Sequence, residues 1–392
     1  MGRFKKLAPA VLAVGVFLGG CAATGATSSV DTTVESATTS QTSSTAEVAS
    51  SDSSSTSRDV DWDSLQTTEV TLTDDGLDIT EAGTYILSGS TTGQVTVNTD
   101  GNVRIILNGA TIESSDGAAI QVDNAELTVL ELADGTTNTV SDASTRSDEE
   151  IDGAIYSSDD LIITGTGTLD VTANFADGIV GKDDLTIESG TINVTSADDG
   201  IRGKDSLVIG DATITIDAAG DGMKASNDTD LGEGVLSITG GDITITSGDD
   251  AIKAEQELNI SGGTINIEES VEGIEAPVVT IDGGDITIYA TDDGINASAS
   301  DIITDGLSIT INDGNLSITM AEGDTDALDS NGDLTINGGT VDITAQFAFD
   351  FEGTAELNGG TVTVNGEEVT EITESMQMGG GEGGQGGGPG GF

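Results

Sequence analysis

DGIVGKDDLTIESGTINVTSA, residues 177–197, is the stretch from which the fold can be read. Three short runs within it, 179–181, 185–187 and 191–195, are built on aliphatic residues and bounded by Gly, Asp, Lys and Ser, the vocabulary of strands and tight turns. The pattern then recurs. Aligned on the residue before the first apolar position, the copies start at Gly178, Gly200, Gly222, Ala251, Gly273, Gly294, Ala327 and Phe349, at steps of 22, 22, 29, 22, 21, 33 and 22. The two long steps carry extra residues at 227–234 and 300–306, both just after the first run of their copy. Insertions confined to one corner are the mark of a repeat architecture.

Alternation within the runs assigns the faces. In Thr264-Ile265-Asn266-Ile267-Glu268 the isoleucines fall on one side and the polar residues on the other. Glycine pairs recur at the second turn, at 240–241, 262–263, 283–284, 338–339 and 359–360, where positive φ suits glycine. Glycine and β-branched residues interrupt every window long enough for a helix. The expectation is an all-β chain folded as a right-handed parallel β-helix, a solenoid of about 22 residues per coil with three short strands per coil; the hand is that of parallel crossovers generally.

Working outward, 62–175 shows the same alternation less regularly and reads as an N-terminal cap with the first coils, and 176–366 as the regular coils. Phe347, Phe349 and Phe351 are expected to plug the C-terminal end, since an open edge needs cover. Residues 367–392 form a glycine-rich tail expected to be disordered. At the other end, Arg3, Lys5 and Lys6 precede an apolar stretch and then Leu18-Gly19-Gly20-Cys21. This resembles a lipoprotein signal peptide, 1–20, with Cys21 as the lipidated residue. Residues 21–61, almost all Ser, Thr, Ala and acids, cannot bury enough surface to fold. They read as a stalk with a mean reach on the order of 35 Å.

Acids outnumber bases 70 to 11. That balance excludes nucleic acid as a partner, and the absence of histidine excludes histidine-based catalysis and His-ligated zinc. The acids are not scattered evenly. Asp177, Asp199, Asp221, Asp250, Glu272, Asp293 and Asp326 each stand one residue before the aligned position, doubled by Asp198, Asp249 and Asp292. Stacked strands lie about 4.8 Å apart, so neighbouring carboxylates repel by roughly 1 kcal/mol in water and more as they are buried. Lys182, Arg202, Lys204, Lys224 and Lys253 fall close to these acids, but the bases stop there while the acids continue. A cation is the remaining partner for Glu272, Asp292, Asp293 and Asp326, and clustered oxygen ligands suit calcium. The alternative is that the acids cap turn amides.

The strings SGDDAIKA (247–254), SVEGIEA (270–276) and TDDGINA (291–297), together with EAGTYILSG (81–89) and VRIILNGATI (103–112), resemble the carbohydrate-binding β-helix family of bacterial cell surfaces. The resemblance implies bound calcium and affinity for cellulose and acidic, pectin-like sugars. It implies Asp249, Asp250, Glu272, Glu275, Asp292 and Asp293 as metal ligands, with Asn296 beside them, and the acid row adds Asp199 and Asp221. Val271 stands where an aromatic residue is expected, which weakens sugar stacking there. Arg202, Lys224, Lys253, Tyr289 and Asn296 are the expected sugar contacts.

The functional expectation is a cell-surface polysaccharide-binding lipoprotein, monomeric, anchored through Cys21 and facing outward, with Ca2+ as its ion and no catalytic activity. Two alternatives stand beside it. A calcium-dependent pectate-type lyase would use Arg202, Lys224 or Lys253 as base; a structural or adhesive surface protein would recognise no sugar.

Overall fold

In a computed structural model of the chain, residues 60–323 and 325–373 are described. The signal peptide, Cys21, nearly all of the expected stalk and most of the tail lie outside them. The chain divides into two units, Met1–Ser53 and Ser54–Phe392, and every described residue falls in the second. Among the described residues no helix is long and apolar enough to cross a membrane.

The architecture is all-β, with 34 strands numbered in chain order from β1 (Thr67–Leu72) to β34 (Glu367–Val369) and one 3-10 turn, Trp62–Ser64, among the described residues. The strands form a 12-stranded and a 22-stranded sheet, and they pair in parallel with the strands of the next repeat. The first apolar positions stack as Ile179, Ile201, Met223, Ile252, Ile274, Ile295, Leu328 and Phe349. All of them are buried, and each such side chain contributes about 1.5–3 kcal/mol on leaving water. The last step is therefore 21 rather than 22, with Leu328 opposite Phe349. Alignment on Phe349 itself is one residue out, since Ala348 is the residue that precedes the stacked Phe349.

Both insertions leave the 12-stranded sheet at the same corner, after β16 (Met223–Ala225) and after β25 (Ile295–Ala297). The second and third runs of 177–197 are joined in one strand, β13 (Asp184–Ser196), which pairs with β15 (Ser206–Ala218) through the intervening turn. At 240–241, 262–263, 283–284, 338–339 and 359–360 a glycine pair separates them. Only its second member has positive φ, as at Gly241 (90°) and Gly263 (97°). Close approach explains a different glycine, the one that follows the acid: a Cβ on Gly200 would lie 2.5 Å from the carbonyl oxygen of Gly222 in the next repeat.

The region 67–173 pairs by the same scheme, beginning with β1 against β3 (Gly83–Thr91) and β2 (Leu77–Ile79) against β4 (Val95–Asn98). Trp62 packs on an outer-face cluster of Leu127, Val129 and Ile162, with the Arg104 guanidinium 5.3 Å above its ring. One inward position breaks the apolar pattern. Asn138 pairs with Leu169 and is fully buried. Its Oδ1 accepts from the amides of Gly109 and Ala110, at 2.9 and 3.0 Å, and its Nδ2 donates to the Thr168 carbonyl at 3.1 Å. The side chain thereby satisfies backbone groups that a glycine turn leaves free.

At the C-terminal end β31 (Phe347–Phe351) is last in the order of the 12-stranded sheet, with Phe349 in the core and Phe351 packed against it. The expected tail begins too early. Residues 367–369 form β34, antiparallel to β33 (Thr361–Val364) across Asn365 and Gly366. Both turn residues have positive φ, 52° and 81°, the requirement of a two-residue hairpin turn.

Candidate cation and ligand site

An acid followed by Gly or Ala introduces successive strands of the 12-stranded sheet from β12 (Asp177–Gly181) to β28 (Asp326–Ser330), so the repeat register lays their carboxylates in a row. Part of that row caps amides. Asp177 Oδ1 accepts from the amide of Asp199 (3.2 Å), Asp199 Oδ1 from Asp221 (2.9 Å), Asp221 Oδ1 from Asp250 (3.1 Å) and Asp293 Oδ1 from Asp326 (3.1 Å). Among the described residues the series skips Asp250 and Glu272.

Three residues along each strand, a column of outward side chains runs Val180, Arg202, Lys224, Lys253, Glu275, Asn296, Asp329 and Asp350. The bases of this column are spent on the acids. Arg202 donates through Nε to Asp177 Oδ2 at 2.9 Å and reaches Asp152 and, at 3.8 Å, Asp199. Lys224 pairs with Asp221 at 2.7 Å, and Lys253 with Asp250 at 2.7 Å and with Glu275. Burial lowers the affinity of Lys253 for its proton, but these carboxylates outweigh it and push its pKa up. The three bases, expected as sugar contacts, are each paired with acids of the row.

Three groups of carboxylates have oxygens within 4.8 Å of one another: Asp177, Asp198 and Asp199; Asp221, Asp249 and Asp250; and Asp250, Glu272 and Glu275. Bases pair with members of all three, Arg202, Lys224 and Lys253 respectively. In the third group, however, Glu272 Oε1 accepts from Asn296 Nδ2 at 3.1 Å, while Glu272 Oε2 and Asn296 Oδ1 are buried with no hydrogen-bond partner among the described residues. Burial, then the charges of Glu275 and Asp250, push Glu272 up to about 8. Burial and Glu275 likewise push Asp250 to about 7. The two orphaned oxygens suit a hard divalent cation, while Asp250 and Glu275 beside them are already paired with Lys253.

Of the expected ligands, the fold gathers Asp250, Glu272 and Glu275 at one place and Asp221 and Asp249 beside Asp250, with Asp199 further along the row. Asp292 and Asp293 join no such group among the described residues. Asp292 is exposed, and Asp293, raised to about 7 by burial and then by Asp329, Asp292 and Asp326, faces the next repeat. Asn296 is 9% exposed, and its Nδ2 donates to Glu272. Tyr289 is exposed, at 39%, but lies on β24 (Asp285–Ala290) of the 22-stranded sheet, away from the column of bases.

A second row of acids escaped the sequence reading. Asp160, Asp183, Asp184 and Asp205 follow the strands of the 12-stranded sheet, and burial, then Asp160 and Asp205, raise Asp183 to about 6. Lys204 pairs with Asp205 at 3.0 Å, and Asn227 donates to the same oxygen at 2.6 Å. The signal was present in the recurring strings SSDDL (157–161), GKDDL (181–185) and GKDSL (203–207).

Stacked parallel strands whose ends carry rows of oxygen donors define an acid-rich, all-β repeat protein. The family described as carbohydrate-binding domain-containing protein matches residues 73–324 and 272–368, and the chain belongs to it. A protein of that description from Acetivibrio thermocellus is 37% identical over 124 residues, 30% of this chain and 43% of that protein. The chain thus spans less than half the length of that relative. A solved structure, the polysaccharide lyase-like protein from C. thermocellum as a gadolinium derivative, is similar over 64% of this chain and 99% of that one, with 28% identity and a TM-score of 0.50.

Proposed function

We propose that the chain is a right-handed parallel β-helix that binds polysaccharide, acidic and pectin-like or cellulosic, with calcium at its acid row, and that it turns nothing over. The observation that carries this reading is the pair of buried acceptors without donors among the described residues, Glu272 Oε2 and Asn296 Oδ1, beside Asp250 and Glu275. Glu272 and Asn296 would offer the ion their open oxygens, and Asp250 and Glu275, now paired with Lys253, lie beside them. A bound cation would supply an electropositive point to which sugar carboxylates or vicinal hydroxyls bind. The rest of the row holds itself together by amide caps and ion pairs, keeping the surface rigid along the stack. The family name supports carbohydrate as the ligand.

The lyase reading is supported by the name of the solved neighbour. Against it stands the state of the candidate bases. The acids beside Lys224 and Lys253 push their pKa up, which works against either amine accepting the proton that β-elimination removes.

Retention of the protein on polygalacturonate and on cellulose, in calcium and in chelator, tests the proposal, with the ultraviolet absorbance of unsaturated uronate followed alongside. Calcium-dependent retention without product is expected. Product formation abolished by Lys224→Ala or Lys253→Ala would overturn it in favour of the lyase. We place the monomer at the outer cell surface, anchored by lipid at Cys21. Cys21→Ser is expected to move it from the membrane to the soluble fraction, and continued membrane fractionation of that variant would refute the anchor.

A further inference from the structure

The start of the insertion after β25 borders an open cavity of about 320 Å3 at the corner of the 12-stranded sheet. Its walls come from consecutive repeats: Lys253, Ala254 and Glu255 from one, Glu275, Ala276 and Pro277 from the next, and residues 298–301 from the third. The last of these walls is held by hydrogen bonds. Ser298 Oγ donates to Glu275 Oε1 at 2.7 Å, the Ser300 amide donates to the Ile303 carbonyl at 3.0 Å, and Ser300 Oγ accepts from the Ile303 amide at 3.1 Å.

We propose that this cavity is a subsite for one amino-sugar residue, a pyranose carrying a protonated primary amine. The inference rests on the polysaccharide-binding reading and extends it to a ligand class. Size sets the first limit: the cavity is at the small end of the range for small-molecule sites, which suits a single ring at a chain end or branch. Lining chemistry sets the second. Ala254, Ala276 and Pro277 are buried behind the surface, so the accessible lining is mostly polar, with Glu255, Glu275, Ser300 and Asp301 among its residues, which suits a hydroxyl-rich ring.

Charge decides between sugars. Lys253 is committed to Asp250 and Glu275. Half-buried Glu255 and exposed Asp301 have no ion pair among the described residues; Lys224 and Lys253 lie near Glu255, but with one base against three acids in its lining the cavity keeps a net negative charge. A uronate would be repelled there. A neutral sugar would gain hydroxyl-to-carboxylate hydrogen bonds, and an amino sugar would gain a charge-assisted one as well.

Calorimetry on the full chain in chelator at physiological salt tests this with four probes: the glucosamine trimer, cellotriose, trigalacturonate and spermidine. The glucosamine trimer is expected to bind at least about tenfold tighter than cellotriose, and trigalacturonate not at all, a charge-assisted hydrogen bond being worth about that factor. Glu255→Gln and Asp301→Asn should each lower its affinity about tenfold, whereas Asp242→Asn, an exposed acid on the other sheet, should not. Spermidine separates the amino sugar from any polyamine: binding as tight as the trimer's, or trimer affinity indifferent to Glu255→Gln and Asp301→Asn, overturns the subsite. Calcium-dependent retention on polygalacturonate is measured on the same samples. If it persists while the trimer fails, the subsite alone falls; if it fails while the trimer binds, the calcium reading alone falls.

Discussion

In chelator, the melting temperature is expected to fall by on the order of 5 °C between about pH 5 and pH 8, a few kcal/mol of lost stability for a chain of this size, and calcium is expected to reverse the fall. Burial first, then neighbouring carboxylates, raise Glu272 to about 8 and Asp250 and Asp293 to about 7, from 4.5 and 3.8. Asp177 reaches about 7 through burial, against the opposing charge of Arg202. Folded-state values above the unfolded ones mean that the folded state holds more protons. The stability they contribute is fully present below about pH 4 and is lost as pH rises through 7 to 8. These groups retain some contact with water, so solvent screening keeps the shift well below the sum of the individual displacements.

Calcium acts in the opposite direction. It binds only deprotonated carboxylates, so its affinity rises over the same interval. At a hundredfold excess over its dissociation constant it adds about 2.7 kcal/mol. Glu272→Gln should raise the melting temperature in chelator at pH 8, by relieving repulsion, and shrink the increment due to calcium. Identical melts in calcium and chelator, at matched ionic strength across the whole pH range, would remove the metal from the proposal.

Arg202→Ala is expected to cost about 3 kcal/mol at pH 8, the magnitude typical of leaving a buried charge without its partner. Arg202 serves Asp177, Asp152 and Asp199 together, and Asp177 is almost fully buried at 3% exposure. Protonating Asp177 offers the variant an escape, so the loss should be smaller at about pH 5. Adding Asp177→Asn and Asp152→Asn to Arg202→Ala should restore most of the stability, since neutral side chains need no counterion. Denaturant midpoints at the two pH values measure this. A variant as stable as the parent at pH 8 would show that the row does not depend on this guanidinium.

Much of the fold was legible because stacking is a linear problem. Alternation assigns the face of each residue, and the step length assigns its partner in the next repeat; Ile179, Ile201, Met223, Ile252 and Ile274 fall in one column on those two rules alone. Applied to the last repeat, the rules come out one residue late, since Ala348 is the residue that precedes the stacked Phe349. They are silent where an inward position is polar, as at Asn138, because its partners are backbone groups 28 to 30 residues away. They also missed β34, whose formation depends on the hairpin at Asn365 and Gly366 rather than on the repeat.

Sequence by itself determined that acids would line one corner of the strands, that bases would accompany them only as far as Lys253, and that the chain would be all-β. Which acid meets which base was decided only in the tertiary structure. Lys253 reaches one carboxylate in its own repeat and one in the next, Asp250 and Glu275; Arg202 spans back to Asp152; and Glu272, one methylene longer than the aspartates around it, turns to Asn296. Side-chain length and the direction in which each chain leaves the corner set those choices. Neither is encoded in spacing, because spacing fixes where a Cα stands and leaves open where the charge at the end of a flexible side chain comes to rest.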